Sequence, residues 1–547
     1  MSLLNYIWLV CWISIPYCST QTCYPQSENN FECQELENLQ DLNQLQGTST
    51  ENWHKLIIRN ENIELSIGTV NSMPNLDNLS VLDLSHVPRL QLLGVGFSML
   101  PNLRHLNISG CALDQLQSTH FATDSALHLL DASHNELTTL TKDFFDMLRK
   151  LVYANFTHNS LTHLELPDMP LLHQLHLGHN ELPNFRLGNC SNLQQLILND
   201  NQISQLDATS FRGLQGLLEL QLSGNALSEI GKDTFQPLMQ LRLLNLSGNA
   251  LAAVRQNAFG SFIVQQFALQ QLDLSSNDIR LLFDNQFRQL GRLQVLDLSH
   301  NSISSLSAPH FEGLQSLRKL YLQSNDIIEI KEYTFEGLAD LDTLDLSQNS
   351  IEYLSENSLG SRILPRMRKL VLNTNNLKHL HALAFSSMPY LEYLSLGNNE
   401  LRQLDVRMFA TMRRLQKMHV GHNLLVDINR DILESLNNVT DLLIDNNKLT
   451  FLPNLNGTLP NLKRAAIEGN PWQCACFVEL EQWLLSKRVI YFREGTGFYS
   501  GEKPLCVVTK FEQCVQNIQD NRLQEVRDKF EEHMNGKQAS TESMDED

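Results

Sequence analysis

Apolar residues recur along this chain at fixed offsets. The pattern L-x-x-L-x-L-x-x-N-x-L appears in LQVLDLSHNSI (Leu293 to Ile303) and again in LDTLDLSQNSI (Leu341 to Ile351). Its asparagines run from Asn135, Asn159 and Asn180 through Asn470, at intervals of 21 to 28 residues. The alternating L-x-L core predicts a short strand with apolar side chains inward and the intervening residues outward. The Asn then turns the chain, and its amide is able to bond backbone groups of neighbouring turns that would otherwise be buried unsatisfied. Ten residues past most of these asparagines stands a Phe, as at Phe145, Phe211, Phe235, Phe287, Phe311, Phe335 and Phe385. That Phe is expected to close the opposite side of each unit. Stepping back by one period finds Cys111 in the Asn place of LRHLNISGCAL, and two weaker units begin at Leu79 and Trp53. The count is about eighteen units.

This periodicity resembles the leucine-rich repeat, over residues 53–470. The resemblance implies an α/β solenoid: a horseshoe of about eighteen repeats with a parallel concave sheet and disulfide-bonded caps. At ~4.8 Å between strands the inner sheet would follow an arc of roughly 80 Å. Such units bury a shared Leu/Phe core, so no single unit folds alone and both ends need covering. Residues 21–52, with CYPQSENNFEC, are expected to cover the first end through a Cys23–Cys33 bridge. Residues 471–514, beginning at Asn470-Pro471-Trp472, resemble the C-terminal flanking module of extracellular leucine-rich-repeat proteins. Four cysteines alone allow three pairings. The resemblance implies Cys474–Cys506 and Cys476–Cys514, and a short helix from Phe477 to Ser486 with Leu480, Trp483 and Leu484 on its packed face. Residues 515–535 carry apolar positions at Leu523, Val526, Phe530 and Met534, which predicts an amphipathic helix. It either folds back on the cap or offers a surface for homo- or hetero-oligomerisation. Residues 536–547 read as an acidic disordered tail.

Composition narrows the setting. Residues 1–20 hold an apolar stretch from Tyr6 to Ile15 followed by Cys18 and Thr20, the pattern of a cleaved signal peptide. No later stretch of ~18 apolar residues appears, so a secreted protein without direct membrane insertion is expected. Net charge is -20 with no basic run, which argues against nucleic acid as a partner. Secretion makes disulfides the expected state of the clustered cysteines. Zinc at the C-terminal four is the rival, against which Cys-x-Cys is tighter than usual ligand spacing. Cys111 and Cys190 fall at core positions about three units apart, roughly 14 Å along the stack. That is beyond the ~7 Å between Cα atoms that a disulfide tolerates. Both are expected as buried free thiols.

Nine histidines fall at outward positions of the sheet or its turn edge. His134, His158 and His179 share one column in consecutive units, so they should stack at ~5 Å. Such a column could hold a metal or titrate as a pH sensor. It could equally be plain filling of a Ser-His-Asn turn, since His300 stands alone in the same slot. Asp131, Ser133 and His134 have the residue types of a hydrolytic triad, but the letters follow the repeat and recur as Asp297-Ser299-His300. An exposed flat sheet forms no oxyanion hole. No phosphate loop, His-Glu-x-x-His or dinucleotide fingerprint is present. No enzyme and no cofactor are expected.

Seven glycosylation sequons occur, at Asn78, Asn107, Asn155, Asn189, Asn245, Asn438 and Asn456. Asn107, Asn155 and Asn245 share the middle position of L-x-L, where glycans would either block the N-terminal half of the sheet or fail to attach. The freer surface would then display Asp273, Asp297, Lys319, Tyr321, Asp345, Lys369, Tyr393, Lys417 and His419. The whole pattern is similar to insect Toll-ectodomain, Slit-like and mosquito leucine-rich-repeat immune proteins. It implies non-catalytic recognition of a protein or pathogen-derived ligand, in innate immunity or in adhesion, matrix or development.

Overall fold

The computed structural model describes residues 22–44, 50–61, 63–68, 75–255, 258–259, 267–491, 499–500, 503–510, 513–517 and 521–542. The expected signal peptide lies outside them. The chain forms two compact units, residues 1–204 with 209–226, and residues 205–208 with 227–547. Each is a stretch of solenoid. Among the described residues the first unit holds eight repeat strands, from Lys55–Arg59 to Glu219–Gln221. The second holds ten, from Leu243–Asn245 to Arg464–Ala466. Neighbouring strands pair in parallel and in strict register, so that Tyr153 faces Gln174 and Lys319 faces Thr343.

Burial follows the sequence pattern. The inward leucines Leu130, Leu175, Leu296, Leu344 and Leu394 are completely buried, while most of their flanking residues stay open or half-buried, Thr343 and Ser395 being the buried exceptions. The Phe column forms the opposite wall, with Phe145, Phe211, Phe235, Phe287, Phe335 and Phe385 at 0–1% exposure. Rings of successive units touch: Phe235 and Phe259 lie 5.4 Å apart, Phe311 and Phe335 5.8 Å. This wall is made of turns, two-residue strands and single helical turns such as Lys142–Asp146, so the helical share of the repeats is small.

The Asn column is a hydrogen-bond ladder. Asn159 donates from Nδ2 to the carbonyl of Ala132 one unit back and to that of Phe156 in its own unit, at 3.0 and 3.1 Å. Its Oδ1 accepts from the backbone N–H of Leu137 at 3.0 Å. Asn349 repeats the arrangement with Leu322, Leu346 and Ile327. Each asparagine thus satisfies backbone groups that lie out of reach of water. Cys111 does only part of this, its Sγ reaching the carbonyl of Leu84 at 3.0 Å. The residue before each Asn sits in the left-handed region: His134, His158 and His179 all have φ 55° and Ser324 has φ 56°. That region tolerates Gly, Asn, Asp and His best, which is why short polar residues and glycines fill the column.

At the N-terminal end a hairpin, Thr22–Ser27 with Asn30–Gln34, holds the Cys23–Cys33 bridge. Its second strand pairs in parallel with Lys55–Arg59, and Phe31 stacks on the buried Trp53 at 4.1 Å. At the other end Cys474 is bonded to Cys506 and Cys476 to Cys514. The cap helix is longer than the sequence suggests, Cys474–Lys487, and buries Cys476, Phe477, Leu480 and Leu484 while Trp483 is half-covered. Cys111 and Cys190 are free and buried, and burial pushes their thiols up to about 12 and about 11.

The C-terminal helix runs Arg522–Glu542, continuing past Gly536 where a disordered tail was expected. One interior glycine costs a helix only ~1 kcal/mol, and good helix formers surround this one. Leu523 and Val526 are buried, and Leu523 packs with Phe451 and Cys476. Lys448 pairs with Glu531, and Arg527 donates to the carbonyl of Lys448. Of the two sequence readings, the helix takes the one that folds back on the cap. Phe530 and Met534, on the same face, are half-buried.

Candidate functional site

The residues that could carry function are those the ladder displays outward. In the first unit, the stack of His134, His158 and His179 is tighter than strand spacing. Ring centroids are 4.3 and 4.1 Å apart and the planes lie within 12° and 9° of parallel. His179 ends the stack with its Nδ1 3.3 Å from Asp200 Oδ2. Desolvation holds His158 below the usual imidazole range, and its two histidine neighbours add to this. Nitrogen lone pairs lie in the ring planes, so parallel rings aim them side by side instead of converging within the ~2.1 Å of one metal ion. Among the described residues no three His, Cys, Asp or Glu side chains are grouped to hold a metal.

The triad-like letters resolve into a turn. Ser133 donates its hydroxyl and its backbone N–H to Asp131 Oδ1, at 2.7 and 3.0 Å, while His134 stacks on its neighbour. Asp297 and Ser299 do the same at 2.6 and 2.9 Å. The serine hydroxyl is tied to a carboxylate two residues back, within its own turn. The pattern caps a turn, as Asx residues do.

The same capping sorts the sequons. Asn107, Asn155 and Asn245 each accept the backbone N–H two residues on, at 3.1, 3.1 and 2.9 Å, and are half-buried. Asn155 Nδ2 also donates to the Asp131 carboxylate. Asn78, Asn189, Asn438 and Asn456 are exposed in loops.

In the second unit the structure divides the nine surface residues singled out from the sequence. Asp273, Asp297 and Asp345 are half-buried and cap their own turns through Ser275, Ser299 and Ser347. Asp273 faces Asp297 across the strands. Burial raises Asp297 above the ordinary carboxylate range, and the neighbouring Asp273 charge pushes the same way. These three belong partly to the scaffold. Lys319, Lys369, Tyr393 and Lys417 share a different column, in which the three lysines are exposed and stand on alternate strands. Lys369 lies over the Tyr393 ring at 5.5 Å. Tyr321 flanks this column, and His419 contacts Ser395 Oγ at 3.3 Å. Sequence reasoning missed a second cationic group, Arg413, Arg414 and Lys463, at the edge where loops enter the last strands. The adjacent Arg-Arg pair was its only signal.

The sequence profile described as leucine rich repeat matches residues 191–251, 268–327, 316–361 and 365–425. Among curated proteins, mouse (Mus musculus) keratocan is 30% identical over 158 residues, covering 27% of this chain and 44% of keratocan. Human (Homo sapiens) fibromodulin is 32% identical over 145 residues, covering 26% of this chain and 37% of fibromodulin. Chaoptin of Drosophila melanogaster is 32% identical over 109 residues, 19% of this chain and 8% of chaoptin. The chain thus spans less than half the length of these relatives. Among solved structures, a leucine-rich-repeat protein of Leptospira interrogans superposes with TM-score 0.57 at 24% identity, over 76% of this chain and 96% of that one. YopM of Yersinia enterocolitica gives 0.52 at 20% identity, over 77% and 84%. Both show the same fold. With its Asn ladder, its Phe wall and a disulfide-bonded cap at each end, this chain has the leucine-rich-repeat fold, and its repeats match the leucine rich repeat profile where they are most regular.

Proposed function

We propose that this protein is an extracellular, non-catalytic scaffold that binds a protein partner on the exposed strand face of its second unit. The observation that carries the reading is the Lys319, Lys369 and Lys417 column with Tyr321 and Tyr393 beside it. Its side chains are presented outward on rigid strands and take no part in the ladder. Tyrosines are common anchors of a protein interface, and exposed lysines around them steer an acidic partner onto the surface. Three disulfides suit an oxidising compartment, and among the described residues no helix is long and apolar enough to cross a membrane. Keratocan and fibromodulin are extracellular matrix proteins. Their likeness favours a matrix or adhesion setting over the innate-immune one that the sequence alone suggested, and over a pathogen-derived ligand.

The test is affinity capture from extracellular fluid and matrix extract on the immobilised protein, beside a K319E/K369E/K417E variant. The three lysines are exposed, so the variant should fold unchanged. A matrix protein held by the wild type and lost from the variant supports the reading. The same proteins on both columns would sink it.

A further inference from the structure

The loops that lead into the last strands of the second unit enclose an open cleft of ≈ 430 Å³, lined by Arg413, Arg414, Gln416, Thr440 and Lys463 among others. Two asparagine amides hold its walls. Asn438 Nδ2 donates to the carbonyl of Arg413 at 2.6 Å, and Asn461 Nδ2 to that of Asn437 at 2.9 Å, so the loops are stacked rung on rung. Thr440 Oγ1 is likewise bonded to the carbonyl of Gln416.

The cations in this cleft are left over from that bonding. Nearby arginines are neutralised: Arg366 by Asp340, Arg368 by Asp342 and Glu392, Arg464 by Asp441. Arg413, Arg414, Lys463 and the adjacent Lys417 form no ion pair among the described residues, and all four are exposed. Arg414 is steadied over the Tyr390 ring at 5.0 Å. A chain of net charge -20 therefore gathers four uncompensated positive charges around one recess. At physiological salt the Debye length is ~8 Å, so the distant acidic charge is screened and the local cluster decides what binds.

We propose that this cleft is a binding site for the sulfate and carboxylate groups of an acidic polysaccharide. It shares only Lys417 with the protein-binding face proposed above, and the K319Q/K369Q arm below separates the two. The lining chooses between polyanions. Every residue lining it is polar, and its guanidinium and ammonium groups suit the oxygens of sulfates and carboxylates. Four cations spread around a shallow recess suit the regularly repeated charges of a polysaccharide chain, and an acidic peptide is the competing polyanion that the test below separates.

Heparin is the probe, measured by calorimetry or surface plasmon resonance on the full chain, with polyglutamate and unsulfated hyaluronan as the other arms. Heparin should bind, its affinity falling steeply with salt as counterions are released. R413Q/R414Q/K463Q should weaken it at least tenfold and flatten the salt slope, with the melting temperature unchanged. K319Q/K369Q should leave heparin binding as it was. Asn438 and Thr440 belong to a glycosylation sequon, so the chain produced in a host that adds no N-glycans is measured alongside. Heparin affinity of that glycan-free chain indifferent to the loss of Arg413, Arg414 and Lys463 would overturn the proposal. So would polyglutamate binding as tightly as heparin, which would make the cleft a site for acidic peptides.

Discussion

The two units share one scaffold and display different surfaces. In the first, the leading outward column of the strands reads Lys55, Val81, His105, Leu129, Tyr153, Gln174, Gln195 and Glu219, beside a stack of three imidazoles. In the second, the same column carries Lys319, Thr343, Lys369, Tyr393, Lys417, Asp441 and Arg464. Beneath both runs the same lattice of buried leucines, Phe rings and bridging asparagines. The difference lies in positions outside the inward leucines, the Phe wall and the bridging asparagines. A repeat of this kind fixes what burial and backbone satisfaction demand, and leaves alternate strand residues free to become a binding surface.

That comparison is open to attack from its shared half. Phe145→Ala in the first unit and Phe335→Ala in the second each empty a fully buried ring site. Each should cost about 3–5 kcal/mol, read by denaturant unfolding and by hydrogen exchange around the site. A cost near zero in one unit would mean that the two walls are not equivalent. Asn159→Ala and Asn349→Ala come next. Both leave a backbone N–H and carbonyls of two units unpaired, at roughly 2–3 kcal/mol each. Equal losses in the two units would sharpen the claim that one ladder serves both. Cys111→Asn tests the ladder by repair. An amide in that slot can make the bridging bonds the thiol lacks, and a gain of about 1 kcal/mol is expected in thermal melting.

The smallest effect concerns the surfaces that differ. His158 is held below the ordinary imidazole value when folded, so the unfolded chain takes up its proton first as pH falls. Stability contributed by the neutral stack is therefore full above pH ~6.5 and declines below it. The ring is largely exposed, so the loss should be a few tenths of a kcal/mol. Melting curves of wild type and H158Q between pH 7.5 and 5 would show it. Parallel pH dependence in the two proteins would remove the stack from the account.

The scaffold was legible in the sequence because burial imposes a period. Leu296, Asn301 and Phe311 mean the same thing in every unit, and the Asn was correctly assigned to backbone satisfaction. The partial role of Asp297 was not legible. Its hydrogen bond to Ser299 depends on a turn whose left-handed residue cannot be read from the letters. The stack of histidines was foreseen as a column, but not its parallel faces, which turn ring nitrogens away from a common point. The cleft stayed hidden because Arg413 and Lys463 are far apart in sequence and outside the motif. Only superposing successive loops brings them together. The packing of Leu523 against Phe451 and Cys476 was equally a matter of tertiary contact, since periodicity shows an apolar face but never its partner.

One feature of the core makes the first unit its own timekeeper. Cys111 and Cys190 are sealed inside it, with thiols raised to about 12 and about 11. A thiol reagent attacks the thiolate, so neither sulfur reacts until its rung swings open and the sulfur meets water. Labelling under native conditions thus follows the population of the open repeat around each sulfur, and at high reagent concentration its opening rate. Two cysteines at different heights report separately on how opening spreads along the coil, without any dye or engineered residue.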